Sequence, residues 1–222
     1  METVKTLCQN RILAILRGIY GETALRTAEA LCCGGVRTVE VTFEADRPET
    51  WEQTAETLQL LNREFGQQLL LGAGTVLTCR QVTLAAQAGA QLAVAPNTDA
   101  AVIRAALEAG LCPLPGAMTP TEIAAAQAAG AAAVKVFPAG LLGPAYFQAV
   151  STPLSGRPLF AFGGVTEHNA AAFLAAGAAG IGVSSTLAGA HLAEAGAFDE
   201  IRQNAAALCR AVFSDSAYPG AE

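Results

Sequence analysis

Short apolar runs recur along this chain with helix-like stretches between them, and no other feature restricts its possible folds as strongly. The runs fall at 11–17, 38–43, 69–75, 91–96, 111–116, 132–138, 158–164 and 180–185. The spacing predicts helices between them, for example over 22–33, 49–64 and 99–109. Several helices end in a similar phrase just before the next run: Ala88-Gly89-Ala90, Ala109-Gly110, Ala129-Gly130-Ala131 and Ala176-Gly177-Ala178. Glycine suits a helix C-terminus that needs a positive φ. Strands that alternate with helices form parallel sheets, because parallel neighbours need a crossover. Eight strand–helix units in a chain of this length fit one closed (β/α)₈ barrel of the α/β class, a TIM barrel. An open doubly wound sheet is the alternative, but no GxGxxG follows the first strand. The expected organisation is a single barrel over 1–213 and a polar, flexible tail over 214–222.

The barrel directs attention to the C-terminal ends of its strands, where active sites of this fold form. The chain of 222 residues has two lysines, Lys5 and Lys135. Lys135 stands inside the apolar run AAVKVFP, where burying an ammonium is costly unless it is paired or deprotonated. A neutral amine is the form that attacks a carbonyl. Glu40 lies between two valines in the second run and is as unexpected there. If both side chains point into the barrel, each supplies the other's counter-charge. Two readings stay open: a buried structural ion pair, or an amine nucleophile with a proton shuttle beside it.

Arg17 closes the first run and is a candidate for holding a carboxylate; an exposed strand-end arginine is the plainer alternative. Gly163 and Gly164 end the seventh run, before Thr166 as a candidate helix N-cap. Ser184 ends the eighth. Loops after strands seven and eight of such barrels often bind phosphate, through backbone N–H groups at helix N-termini. His168 and His191 are not grouped with cysteines or carboxylates, so no metal site is expected. The six cysteines form no CxxC pair and read as reduced thiols. A net charge of −6 argues against a nucleic-acid surface. No apolar stretch is long enough to span a bilayer, and the N-terminus lacks a signal peptide's apolar core. A cytoplasmic location follows as the expectation.

In order along the chain stand ILAILRG (12–18), GGVRTVEVTF (34–43), GAGTV (72–76), VAPN (94–97), PG-x-MTPTE (115–122), VKVFPA (134–139), GP (143–144), FGGV (162–165) and GVSS (182–185). On these motifs the chain resembles the 2-keto-3-deoxy-6-phosphogluconate aldolase and 4-hydroxy-2-oxoglutarate aldolase family. The resemblance implies a class I aldolase that needs no cofactor, acts on a 2-keto acid and an aldehyde, and assembles as a homotrimer. It implies a Schiff-base lysine at Lys135 and a proton-moving Glu40. Thr75 would contact the keto acid and Arg17 the anionic substrate. Gly163, Gly164 and Ser184 would cradle phosphate, while Pro96 and Phe137 line the pocket.

Two positions depart from the pattern. Some members carry an arginine four residues after the glutamate; here that residue is Glu44, and the next arginine is Arg47. Many have threonine or valine before the glycine pair; here it is Phe162, a ring that narrows the substrate pocket and offers no hydroxyl. Two rivals remain: a phosphate-binding isomerase or epimerase barrel working without an imine, and a non-catalytic barrel that binds a keto acid or sugar phosphate.

Overall fold

A computed structural model describes residues 2–154 and 156–213; the expected tail over 214–222 lies outside them. The strands are β1 (Ile12–Leu16), β2 (Thr38–Thr42), β3 (Leu70–Gly74), β4 (Leu92–Val94), β5 (Cys112–Leu114), β6 (Gly116–Ala117), β7 (Val134–Val136), β8 (Leu159–Phe162) and β9 (Gly180–Val183). All pairings are parallel, in the order β5-β4-β3-β2-β1-β9-β8-β7-β6. The helices are α1 (Glu2–Asn10), α2 (Gly21–Cys33), α3 (Trp51–Phe65), α4 (Cys79–Gln87), α5 (Ala100–Glu108), α6 (Pro120–Ala128), α7 (Ala139–Ser151), α8 (Ala170–Ala175), α9 (Ser185–Ala188), α10 (Ala190–Glu194) and α11 (Phe198–Phe213).

The nine strands occupy eight barrel positions. The fifth expected run is split at Pro115: β5 pairs with β4 and β6 pairs with β7. Proline has no N–H to give to a ladder, but its carbonyl accepts from Lys135 N at 2.9 Å. The barrel therefore closes through the chain itself at this position. The glycines read as helix ends, Gly89, Gly110, Gly130 and Gly177, all have φ between 78° and 105°.

Alternation along the strands sorts side chains into two packed groups. Ile12, Ala14, Leu16, Val39 and Val41 face outward and pack with the helices. Leu13, Ile15, Leu70, Leu92, Val94, Leu114, Ala133, Phe160 and Phe162 fill the interior. Leu7 from α1 joins this inner group, so α1, which the strand–helix pattern does not foresee, plugs one end of the barrel. Large residues on one strand face glycines on the next. Phe160 pairs in register with Gly180, and Phe162 with Gly182.

Some family-like motifs are helix-start devices. Thr119 caps α6, Pro120 takes its first position, and Thr119 and Glu122 form a reciprocal capping box. Thr166, by contrast, is not an N-cap. Its backbone N–H donates to Asn169 Oδ1 at 2.8 Å, and α8 starts after Asn169.

Candidate active site

Ten side chains or backbone positions singled out in the sequence meet in one cleft: Arg17, Glu40, Thr75, Pro96, Lys135, Phe137, Phe162, Gly163, Gly164 and Ser184. The cleft has an empty volume of about 730 Å³. It lies at the C-terminal ends of the strands: Phe162 ends one, Arg17, Thr75, Pro96, Phe137, Gly163, Gly164 and Ser184 follow others within two residues, and Glu40 and Lys135 reach it from inside β2 and β7.

Lys135 is brought here by strand alternation. Val134 and Val136 belong to the outer packed group, so the lysine between them projects inward. It is 8% exposed. Its Nζ lies 4.8 Å from the ring centroid of Phe162 and 5.1 Å from that of Phe137.

Glu40 reaches the same space from β2, between the outward-facing Val39 and Val41. It is 1% exposed, and among the described residues its Oε2 has no hydrogen-bond partner. Glycines of the GAGT segment make room for it. A Cβ on Gly74 would fall 2.2 Å from Glu40 Oε1, and one on Gly72 would fall 3.5 Å from Glu40 Cβ. Gly74 is therefore the floor on which the carboxylate lies, while Gly72 is in ordinary contact with the Glu40 stem.

Burial raises the Glu40 pKa, with Lys135 and Arg17 pulling it back down. Burial likewise lowers the Lys135 pKa; Glu40 opposes that shift and Arg17 adds to it. Burial thus pushes each group toward its neutral form, while the attraction between the two acts the other way. A neutral amine can attack a carbonyl, and an uncharged carboxyl can give up and take back a proton.

Arg17 is exposed to the cleft and makes no side-chain hydrogen bond or ion pair among the described residues, so its guanidinium is available to an anion. Thr75 has φ 55°, a conformation uncommon for a β-branched residue. At the other side, Gly163 and Gly164 have φ of 80° and 77°. A Cβ on Gly163 would meet the Phe137 ring at 2.8 Å, and one on Gly140 would meet Gly164 Cα at 2.7 Å. The turns after β7 and β8 are thus pressed together. Ser184 Oγ makes a long contact of 3.5 Å to Ile15 O.

The cleft also includes Ile15, Val165, Thr166, Gly182, Ser185 and Thr186, which the sequence reading did not single out as lining residues. The signal for most of them was available, since they follow the same strand ends as Gly164 and Ser184. Glu44 and Arg47 do not line it. Glu44 accepts from Tyr20 Oη at 2.9 Å and pairs with Arg47 at 2.9 Å, so Arg47 does not substitute for an arginine at position 44. His168 and His191 are exposed and outside the cleft. Among the described residues no three His, Cys, Asp or Glu side chains are grouped to hold a metal. Cys8, Cys32, Cys33, Cys79 and Cys112 carry free thiols. No helix among the described residues is long and apolar enough to cross a membrane.

The sequence matches the family model "KDPG and KHG aldolase" over residues 4–204. It is 40% identical over 177 residues to the 2-dehydro-3-deoxy-6-phosphogalactonate aldolase of Escherichia coli (strain K12), covering 79% of this chain and 83% of that one. It is 32% identical over 181 residues to the KHG/KDPG aldolase of the same organism, covering 81% and 82%. A solved structure titled "Native KDPGal structure" superposes with a TM-score of 0.82 at 38% identity, covering 90% of this chain and 93% of that one. A family match across nearly the whole barrel, with the fold to accompany it, establishes that the chain belongs to the KDPG and KHG aldolase family, whose members are lyases.

Proposed function

We propose that the cleft is the active site of a class I aldolase that cleaves a 2-keto-4-hydroxy acid to pyruvate and an aldehyde, with Lys135 as the nucleophile. The observation that carries this reading is the buried amine of Lys135 in one cleft with the buried carboxyl of Glu40 and the unpaired guanidinium of Arg17.

Arg17 holds the substrate carboxylate and sets the keto carbon toward Lys135. The neutral amine adds to that carbon, giving a carbinolamine. Loss of water, with Glu40 supplying the proton to the departing hydroxide, gives an iminium. Glu40, now a carboxylate, takes the proton of the C4 hydroxyl. The C3–C4 electron pair flows into the iminium, the aldehyde leaves, and an enamine of pyruvate remains. Protonation at C3 from Glu40 and hydrolysis by water release pyruvate and restore the amine. Thr75 contacts the keto acid. Pro96 and Phe137 line the apolar wall, and Phe162 closes it on the side of the sugar chain.

Gly163, Gly164 and Ser184 form the end suited to a phosphate, which supports a 6-phosphorylated 2-keto-3-deoxy sugar acid. The 2-dehydro-3-deoxy-6-phosphogalactonate aldolase relative, at 40% identity, supports the galactonate epimer. A second reading, the shorter 4-hydroxy-2-oxoglutarate, is favoured by the buried ring of Phe162 and by the absence of Glu44 and Arg47 from the cleft. The homotrimer and the cytoplasmic location belong to this same reading.

Pyruvate release from the phosphogalactonate, the phosphogluconate and 4-hydroxy-2-oxoglutarate distinguishes these substrates. The expected result is fastest turnover of the phosphogalactonate, and none of the three turned over by Lys135→Ala. Cleavage by Lys135→Ala at the wild-type rate excludes the proposed mechanism.

A further inference from the structure

Three charged or polarisable groups face the Lys135 amine inside the cleft besides Glu40. Arg17, at the end of β1, opposes positive charge there. The Phe137 ring lies 5.1 Å away but is 37% exposed at the cleft mouth. The Phe162 ring lies 4.8 Å away and is 1% exposed. Among the described residues Glu40 is the only carboxylate in the cleft, and its burial opposes ionisation, so a second group that offsets positive charge there has a role. A cation over an aromatic face gains most where the pair is desolvated, which singles out Phe162 over Phe137.

The Phe162 ring is also fixed. Gly182, its register partner on β9, lies directly beneath it: a Cβ there would come within 2.1 Å of both Cδ1 and Cε1. The ring is seated against the Gly182 backbone and buried, with Lys135 Nζ over its face.

We propose that Phe162 is a positioning residue for the lysine-bound cation, its ring face stabilising the iminium on Lys135 relative to the neutral carbinolamine before it. This rests on Lys135 being the imine-forming amine. In the step concerned, the carbinolamine C–O bond breaks, hydroxide leaves as water with a proton from Glu40, and the nitrogen lone pair forms the C=N bond. The nitrogen thereby gains a full positive charge beside Arg17 as Glu40 becomes a carboxylate, and the Phe162 face adds to the offset.

The test uses the full-length enzyme with pyruvate alone. Phe162 is replaced by leucine and, site-specifically, by a trifluorinated phenylalanine that keeps the ring's shape and weakens its negative face. Two quantities are followed from acid to alkaline pH: exchange of pyruvate methyl protons with deuterated water, and the fraction of Lys135 trapped by borohydride. The expected result is a loss of exchange of about threefold for the fluorinated ring and about tenfold for Phe162→Leu. In both, the alkaline limb of the profile moves to lower pH, because the cation is given up sooner. The fluorinated protein should melt with the wild type, so packing alone cannot account for its loss. Fluorinated enzyme that exchanges and traps as the wild type does at every pH overturns the inference while leaving the aldolase reading intact. A wild-type enzyme that traps nothing on Lys135 overturns both.

Discussion

The side chain of Phe162 occupies the space that Gly182 leaves vacant on the neighbouring strand: the two are register partners, and a Cβ on Gly182 would stand 2.1 Å from the ring. This complementarity ties the barrel's packing to its chemistry, since the same ring lies 4.8 Å from Lys135 Nζ. Gly182→Ala should therefore overpack the interior and cost about 1–3 kcal/mol. For a chain of this size that lowers Tm by roughly 2–10 °C. Adding Phe162→Leu should restore part of the loss, because the two sites are coupled. Thermal melts of the two single variants and the double variant check this; strictly additive losses would show that the ring does not depend on Gly182.

Gly74 supports Glu40 in the same way. Gly74→Ala would place a Cβ 2.2 Å from Glu40 Oε1 and displace the carboxylate. The expected phenotype is a fall in kcat, with pyruvate trapping on Lys135 slowed but not abolished, since water can supply the proton for dehydration. Glu40→Gln should lose about 10²–10⁴ in kcat, the usual span for a general acid–base group. Steady-state kinetics paired with trapping separates this from loss of imine formation.

The directions of the pKa shifts give opposite signs for two substitutions. Burial holds Lys135 below its ordinary value of 10.5, Glu40 raises it and Arg17 lowers it. Removing the negative charge with Glu40→Gln should move the midpoint for amine reactivity to lower pH. Removing the positive charge with Arg17→Met should move it to higher pH. The pH dependence of Lys135 labelling by pyruvate and borohydride measures both; shifts of the same sign would contradict the electrostatics described.

In the proposed mechanism Arg17 is also the cation that holds the substrate carboxylate. Arg17→Met should raise KM for the keto acid by about 10- to 100-fold, the equivalent of a charge-assisted hydrogen bond worth about 1.5–3 kcal/mol. Its effect on kcat should be smaller, as for an interaction shared by ground and transition states. A fall in kcat with unchanged KM would place Arg17 elsewhere in the reaction.

Lys135 and Glu40 were legible in the sequence because ionisable residues between valines are expensive, and strand alternation turns that expense into a direction. Arg17, Thr75 and Ser184 were legible from strand ends and from family-like motifs. The split at Pro115 was not, because an apolar run carries no mark of where its ladder changes partner. Helix α1 was missed because its one buried residue, Leu7, closes the barrel against residues far along the chain. Thr166 had the chemistry of a cap, but Asn169, three residues on, took the turn. The pairing of Phe162 with Gly182 spans two strands, and only register brings them together.

The most direct test of the aldolase account is intact-protein and peptide mass spectrometry after borohydride reduction in the presence of pyruvate. The account predicts the added mass of one reduced pyruvate on Lys135, absent from Lys5 and abolished in Lys135→Ala. Unmodified Lys135 in an enzyme that still releases pyruvate from its substrate would contradict it.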